Sequence, residues 1–175
     1  MKKHILITGM AGCGKSTLAE KFEELGYETY NIEDIDGMFR MYRKGTDELF
    51  TDFDNADPKK IHQSEWRCNI SKLRGLIKHQ KTELAFYCGV GSNMDDIIPL
   101  FDKVFLLHVS GDTLRKRLKS REGTDDMGNT EESRGTVLGW KDWWENEMIQ
   151  KGAVVVDAEK SPEEIAKEII SLAIK

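Results

Sequence analysis

Eight residues near the start of the chain, Gly9-Met10-Ala11-Gly12-Cys13-Gly14-Lys15-Ser16, bring together a pliable backbone, one ammonium and one hydroxyl. They fill every fixed position of G-x-x-x-x-G-K-[ST]. A triphosphate needs several donors pointing inward at once. Gly9, Gly12 and Gly14 let the backbone curl so that successive N–H groups face one anion. A helix starting at Lys15 would add its positive end. Lys15 can reach the outer phosphates, and the Ser16 hydroxyl can ligate Mg²⁺. Thr17 reads as support for the loop. Cys13 reads as a small side chain that fits rather than a nucleophile.

Other residues offer complementary chemistry. In Leu114-Arg115-Lys116-Arg117-Leu118-Lys119-Ser120-Arg121, Arg117 and Arg121 are four apart and share a helix face. From there they can neutralise charge on a transferring phosphoryl group. Arg134, further on, is a candidate closing arginine. The stretch Asn31-Ile32-Glu33-Asp34-Ile35-Asp36 supplies carboxylates that could support a metal or position a hydroxyl, though either aspartate could also cap a helix. Arg40 and Arg67 could meet an anionic group. Cys88-Gly89-Val90-Gly91-Ser92-Asn93 allows close backbone approach at Gly89 and Gly91, with hydrogen-bonding groups at Ser92 and Asn93. Trp140, Trp143 and Trp144 have the spacing of one helix face, and anchoring of that helix is the simplest reading. The four histidines show no metal-ligand spacing.

These groups need a scaffold, and short apolar runs alternate with amphipathic ones. Residues 4–8 read as a buried strand ending at Gly9, and residues 15–25 as a helix closed by Gly26. A second strand spans 28–32. Residues 35–44 read as a weak helix, followed by an acidic loop. Asp57-Pro58 opens a helix that the spacing of Ile61, Ile70, Leu73 and Ile77 carries to about His79. Further strands fall at 84–88, 104–109 and 153–156. A short helix follows Ser92, a basic helix covers 112–121, 122–135 reads as loop, and a tryptophan-rich helix begins near Gly139. Ser161-Pro162-Glu163-Glu164 opens the last helix with a capping box. Five strands with continuous apolar runs imply an α/β fold whose parallel sheet is covered on both faces.

The chain has 175 residues, the size of one domain, and we expect a single domain over 1–175. Its net charge of −5 argues against non-specific nucleic-acid binding, which requires a basic face. No apolar run approaches the roughly 20 residues that span a bilayer. The apolar stretch after Met1-Lys2-Lys3 is too short for a signal sequence. Three scattered cysteines, Cys13, Cys68 and Cys88, form neither a disulfide framework nor a zinc pattern. A soluble, cytoplasmic protein is expected. The sequence leaves the oligomeric state open.

With these motifs in place, the chain resembles the P-loop small-molecule kinases: nucleoside monophosphate, shikimate and gluconate kinases. The resemblance implies a three-layer P-loop NTPase fold with sheet order 2-3-1-4-5, helices on both faces and a short lid at about 115–140. It implies ATP and Mg²⁺ as cofactors and a small-molecule hydroxyl or phosphate as acceptor. The stretch 114–121 resembles the L-x-x-R-L-x-x-R that opens the lid; Arg117 would then lie near the base and Arg121 near the phosphates. Residues 34–36 resemble a D-x-D pair, which assigns Asp34 to the metal and Asp36 to the acceptor hydroxyl, with the roles interchangeable. Lys15, Asp36 and Arg121 are thus the catalytic candidates. Gly9, Gly12, Cys13, Gly14, Ser16, Thr17 and Arg117 are the nucleotide-binding ones, and Ser16 and Asp34 the metal ligands. Arg40, Arg67, Gly89, Gly91 and Arg134 are the acceptor-side candidates. The chain departs from the family after the third strand, where no carboxylate follows. Two other readings stay open: a polynucleotide 5′-hydroxyl kinase, suggested by Asp36 with Arg40, and a regulatory P-loop ATPase acting through a protein partner.

Overall fold

The computed structural model describes residues 1–175. In chain order the elements are β1 (Lys3–Thr8), α1 (Lys15–Glu24), β2 (Glu28–Asn31), β3 (Phe39–Arg43), α2 (Pro58–His62), β4 (Ser64–Cys68), α3 (Ile70–Lys78), β5 (Leu84–Cys88), α4 (Met94–Ile97), β6 (Lys103–His108), α5 (Gly111–Lys119), α6 (Glu131–Gln150), β7 (Val154–Asp157) and α7 (Pro162–Ile174).

Five strands form one parallel sheet in the order β2-β5-β1-β6-β7. Counting only these strands, that is the expected 2-3-1-4-5, the arrangement of a three-layer P-loop NTPase fold. Successive side chains leave a strand on opposite faces, so a doubly covered sheet must be apolar at every position. In β1, Ile5 and Ile7 join a core with α1, α5 and α7 through Phe22, Leu114, Leu118, Ile165 and Ile169. Leu6 enters the opposite core with Leu73 of α3, Met94 and Ile97 of α4, and Met148 of α6. Every crossover leaves a strand at the same end of the sheet, so the loops after β1, β2, β5 and β6 converge there.

Two expected helices are corrected. Residues 39–43 are strand, not helix, after a short 3₁₀ turn at Ile32–Asp34. The long helix expected over 57–79 is broken: α2 stops after His62, β4 intervenes, and α3 begins anew under an Asn69 side chain that accepts from the Lys72 N–H at 3.0 Å. β3 and β4 form an antiparallel hairpin in which Phe39 faces Cys68, Arg40 faces Arg67 and Met41 faces Trp66. Phe39, Cys68 and Trp66 pack onto the α3 side of the sheet, and that burial overrides the helical spacing. Asp57 does cap α2, and Ser161 does make a capping box with Glu164.

α6 starts earlier than expected, at Glu131 under the Thr130 cap, because Ser133, Arg134 and Val137 are already buried. The tryptophans divide: Trp144 packs on the core, Trp140 meets His62 edge to face at 5.3 Å, and Trp143 is 64% exposed.

The hairpin is stapled to the loop after β5. Ser92 N–H donates to the Trp66 carbonyl at 2.7 Å, and Trp66 N–H donates to Ser92 Oγ at 2.9 Å. Cys68 N–H donates to Asn93 Oδ1 at 2.9 Å, and Asn93 Nδ2 donates to the Cys68 carbonyl at 3.1 Å. The Asn93→Ala variant leaves both main-chain groups of Cys68 without these partners. We expect it to lose about 2–3 kcal/mol of stability, read as a lower urea midpoint.

Glu28 supplies a second check. Burial works against its ionised form, yet the Tyr30 hydroxyl, the Lys81 and Thr82 N–H groups and the Thr82 hydroxyl all donate to it, holding its carboxyl at about 2. A depressed carboxyl stabilises the fold above its unfolded value of 4.5, and that contribution is lost as pH falls towards 2. The Glu28→Gln variant should therefore show a shallower fall in urea midpoint than the parent across that window.

Candidate functional site

The site begins where β1 ends. Thr8 is the last strand residue, and the chain curls through Gly9–Gly14 before Lys15 opens α1. Gly12 has φ +87°, and a Cβ there would meet Leu118 Cδ2 at 2.9 Å. This position therefore needs glycine twice over, for conformation and for space. Cys13 is buried in the core, and burial pushes its thiol up from the usual range, which fits a packing role. The first N–H groups of α1 have no partners within the helix and are available to an anion.

Lys15 Nζ donates to the Gly9 carbonyl at 2.8 Å and lies 3.8 Å from Glu33 Oε1. The sequence singles out Asp34 and Asp36 and gives Glu33 no role of its own. It sits in the turn after β2, and its Oε1 accepts from the Val90 N–H at 3.1 Å. It therefore links the phosphate loop to the Gly89–Gly91 loop. No local motif marks this, because the contacts come from residues far along the chain. Beside it, Asn31 Nδ2 donates to Ser16 Oγ at 3.4 Å and also to Asp34 Oδ2. Ser16, Asn31 and Asp34 are thus one connected group. Asp36 is exposed, and its backbone carbonyl accepts from Lys72 Nζ.

On the opposite flank, Arg117 clamps two loops. Its Nη1 donates to the Cys13 carbonyl and its Nη2 to the Ala158 carbonyl, each at 3.0 Å. A cleft of about 420 Å³ lies here, bounded by residues 12–18 on one side and by Arg117, Arg121, Lys160 and Pro162 on the other. Its charged side chains are all cationic, as an anionic nucleotide requires. Glu159, next to the cleft, is held at about 2 by hydrogen bonds from Ser110.

The remaining candidates lie elsewhere. Arg121 lines the cleft and donates to the Met127 carbonyl at 2.9 Å. Arg134 is 4% exposed and binds Glu122, Glu131 and the Gly128 carbonyl, so it organises the 122–131 loop from within. Arg40 is exposed on β3. Opposite it, Arg67 lies over the Tyr42 ring at 3.9 Å and pairs with Asp47 at 3.0 Å. Ser92 and Asn93, read as possible substrate donors, make the hairpin staples. Gly91 lies against Phe39 and the Trp66 carbonyl. At Gly89 an added Cβ would meet Ile32 Cγ1 at 2.5 Å, in the turn that carries Glu33 and Asp34.

A family model described as an AAA domain matches residues 5–139. No curated protein matches the sequence significantly. Among solved structures, the chain is similar to a deoxyadenosine kinase from M. mycoides with bound dATP. The identity is 20%, 99% of this chain and 100% of that one are covered, and the TM-score is 0.61. It is similar to a shikimate kinase from Acinetobacter baumannii in complex with shikimate (13% identity, 99% and 94% covered, TM-score 0.63). It is also similar to a gluconokinase from Sinorhizobium meliloti 1021 (17% identity, 98% and 91% covered, TM-score 0.52). At these identities the likeness shows a shared fold.

The close approach at Gly89 generates a prediction. The Gly89→Ala variant must displace Ile32 and with it the turn bearing Asp34, which Asn31 joins to Ser16 of the phosphate loop. We expect a loss of about 1–3 kcal/mol in denaturant unfolding, together with weaker binding of a non-hydrolysable ATP analogue by calorimetry.

Proposed function

The chain belongs to the AAA-domain family, matched over residues 5–139, and from that premise we propose that it is an ATP-dependent phosphotransferase acting on a small-molecule hydroxyl or phosphate. One observation carries this reading. The cationic nucleotide cleft is faced, across Lys15, by a separate wall bearing Glu33 and Asp34. A nucleotide hydrolase needs only water there; a wall of carboxylates and close-packed glycines suits a positioned acceptor. The solved structures it resembles include kinases of deoxyadenosine, shikimate and gluconate by name.

In this reading the phosphate loop and the N-terminus of α1 bind the triphosphate. Lys15 exchanges the Gly9 carbonyl for the outer phosphates, and Arg121 neutralises charge on the transferring group. Arg117 braces the nucleotide side. Glu33, fixed by the Val90 N–H, is placed to orient the acceptor hydroxyl and take its proton late in transfer, the role that the D-x-D resemblance gives to Asp36. Asp36, Arg40, Arg67, Gly89 and Gly91 belong to the proposed acceptor side. Ser16 Oγ and one Asp34 oxygen form a hard-oxygen pair that suits Mg²⁺, which takes few protein ligands beside phosphates. Bound there, the ion would offset phosphate charge. The 120–130 loop and the start of α6 form the lid, with Arg134 as its internal brace, and exclude water that would compete as acceptor. No covalent intermediate is required; positioning and electrostatics suffice.

The test is ADP release measured over a panel of small acceptors. At least one should raise it well above the rate with water alone. In that assay Lys15→Ala should abolish turnover. Glu33→Gln should lower kcat by about 100-fold or more while leaving affinity for an ATP analogue unchanged. Stimulation by a protein partner with none from small molecules would replace this reading with the regulatory ATPase.

A further inference from the structure

Between β3 and β4 the chain makes an excursion over residues 44–63 that neither nucleotide binding nor the proposed transfer uses. It is a built body. Phe50 is buried, and its N–H donates to the Met41 carbonyl at 2.9 Å. Arg43 lies over the Phe50 ring at 4.2 Å and pairs with Asp52 at 2.9 Å, and Lys60 lies 3.6 Å from the same carboxylate.

This body touches the 120–130 loop and α6, one place on each. Asn55 Nδ2 donates to the Asp125 carbonyl at 2.7 Å, at the tip of the 120–130 loop. The His62 ring stands edge to face on Trp140 of α6, with centroids 5.3 Å apart and planes at 89°. Both contacts act on one mechanical unit. Arg134 ties the loop to the first turn of α6 through Glu122, Glu131 and the Gly128 carbonyl. The other half of α6 is anchored to the sheet: Glu145 accepts from Lys141 at 3.0 Å and lies 2.8 Å from His108 Nδ1 at the end of β6. α6 is thus an unbroken helix held at His108 and, through Val137, to the core with Leu114 and Leu118; its first turn carries the loop through Arg134, and Trp140 lies between.

We propose that residues 44–63 form a strap that latches the 120–130 loop from the acceptor side, so that the acceptor enters only when Asn55 and His62 let go. The position of the acceptor rests on the phosphotransferase reading; the latch itself does not. Closure is then set by contacts of the acceptor wall as well as by the nucleotide. An enzyme built this way opens for its acceptor without releasing Arg117, which binds Cys13 and Ala158 independently of the strap.

Hydrogen exchange on the nucleotide-free full chain tests the latch. In the Asn55→Ala, His62→Ala double variant, amides of 122–130 should exchange about tenfold faster, while those of β1 and α3 keep their rates. Asn55→Asp keeps the shape but loses the donor, so it should match Asn55→Ala. His62→Ala should change tryptophan emission, and that change should vanish in a Trp140→Phe background. Unaltered exchange at 122–130 in the double variant overturns the proposal, as does acceleration shared equally by β1. Because no nucleotide or acceptor is present, this result is independent of the ADP assay: a failed acceptor panel would remove the kinase reading and leave the strap standing.

Discussion

A loop that must turn its N–H groups towards an anion can use few of them to hold its own shape. This constraint governs the molecule. The loop from Gly9 to Gly14 keeps one internal bond, from the Cys13 N–H to the Met10 carbonyl at 3.1 Å, and is otherwise held from outside and from behind. Arg117 takes the Cys13 carbonyl, Lys15 takes the Gly9 carbonyl, and Leu118 fills the space that Gly12 leaves free. Cys13 plugs the loop into the core beneath. Each support comes from an element that must itself be placed by the sheet, so the sheet order and the loop are one requirement. β1 lies centrally, between β5 and β6, because its C-terminal end must be reached from both flanks.

That arrangement was legible in the sequence wherever local pattern and final environment agree. The three inner strands β1, β5 and β6 are buried on both faces, so each appears as a near-continuous apolar run, while the edge strands β2 and β7 are only partly covered and are marked by their β-branched and aromatic residues. The hairpin was not legible, for a physical reason. Phe39–Arg43 and Ser64–Cys68 owe their conformation to each other and to the α3 side of the core, and long chain separates them. Neither segment has a local cue strong enough to compete with the three- and four-residue spacing of Ile70, Leu73 and Ile77. The same separation hid the role of Glu33. Its position depends on Val90 and Lys15, neither of them a sequence neighbour, whereas Asp34 and Asp36 stood out as a familiar pair.

Ser92 and Asn93 give the complementary lesson. Polar side chains after a buried strand invite a substrate-binding reading, since the loop lies at the sheet edge where ligands bind. Here the backbone of β4 takes them. β4 pairs with β3 on one side, and its other edge would present unpaired main-chain groups at Trp66 and Cys68. The side chains of Ser92 and Asn93 stand in for a neighbouring strand. Satisfying buried main-chain groups takes precedence over offering donors to a ligand. The polar side chains of this loop therefore serve to fix the hairpin.

The net charge of −5 looks at first like a poor match for phosphate binding. The structure separates the two signs by element. The cations Lys15, Arg117, Arg121 and Lys160 surround the nucleotide cleft, on helices and loops at the C-terminal edge of the sheet. The acid is spread over the rest of the chain; five of the 31 acidic residues lie on the 44–63 excursion, where Asp52 meets Arg43 and Lys60, and Asp57 caps α2. Charges separated by more than about 8–10 Å are largely screened at physiological ionic strength. The local field at the cleft is therefore set by the side chains that line it, and the sum over the chain says little about it. What the excursion does need is rigidity, because it must hold two separate contacts at once. Arg43, stacked on Phe50 and paired with Asp52, supplies that brace, and only a braced excursion can bring Asn55 to the 120–130 loop and His62 to Trp140.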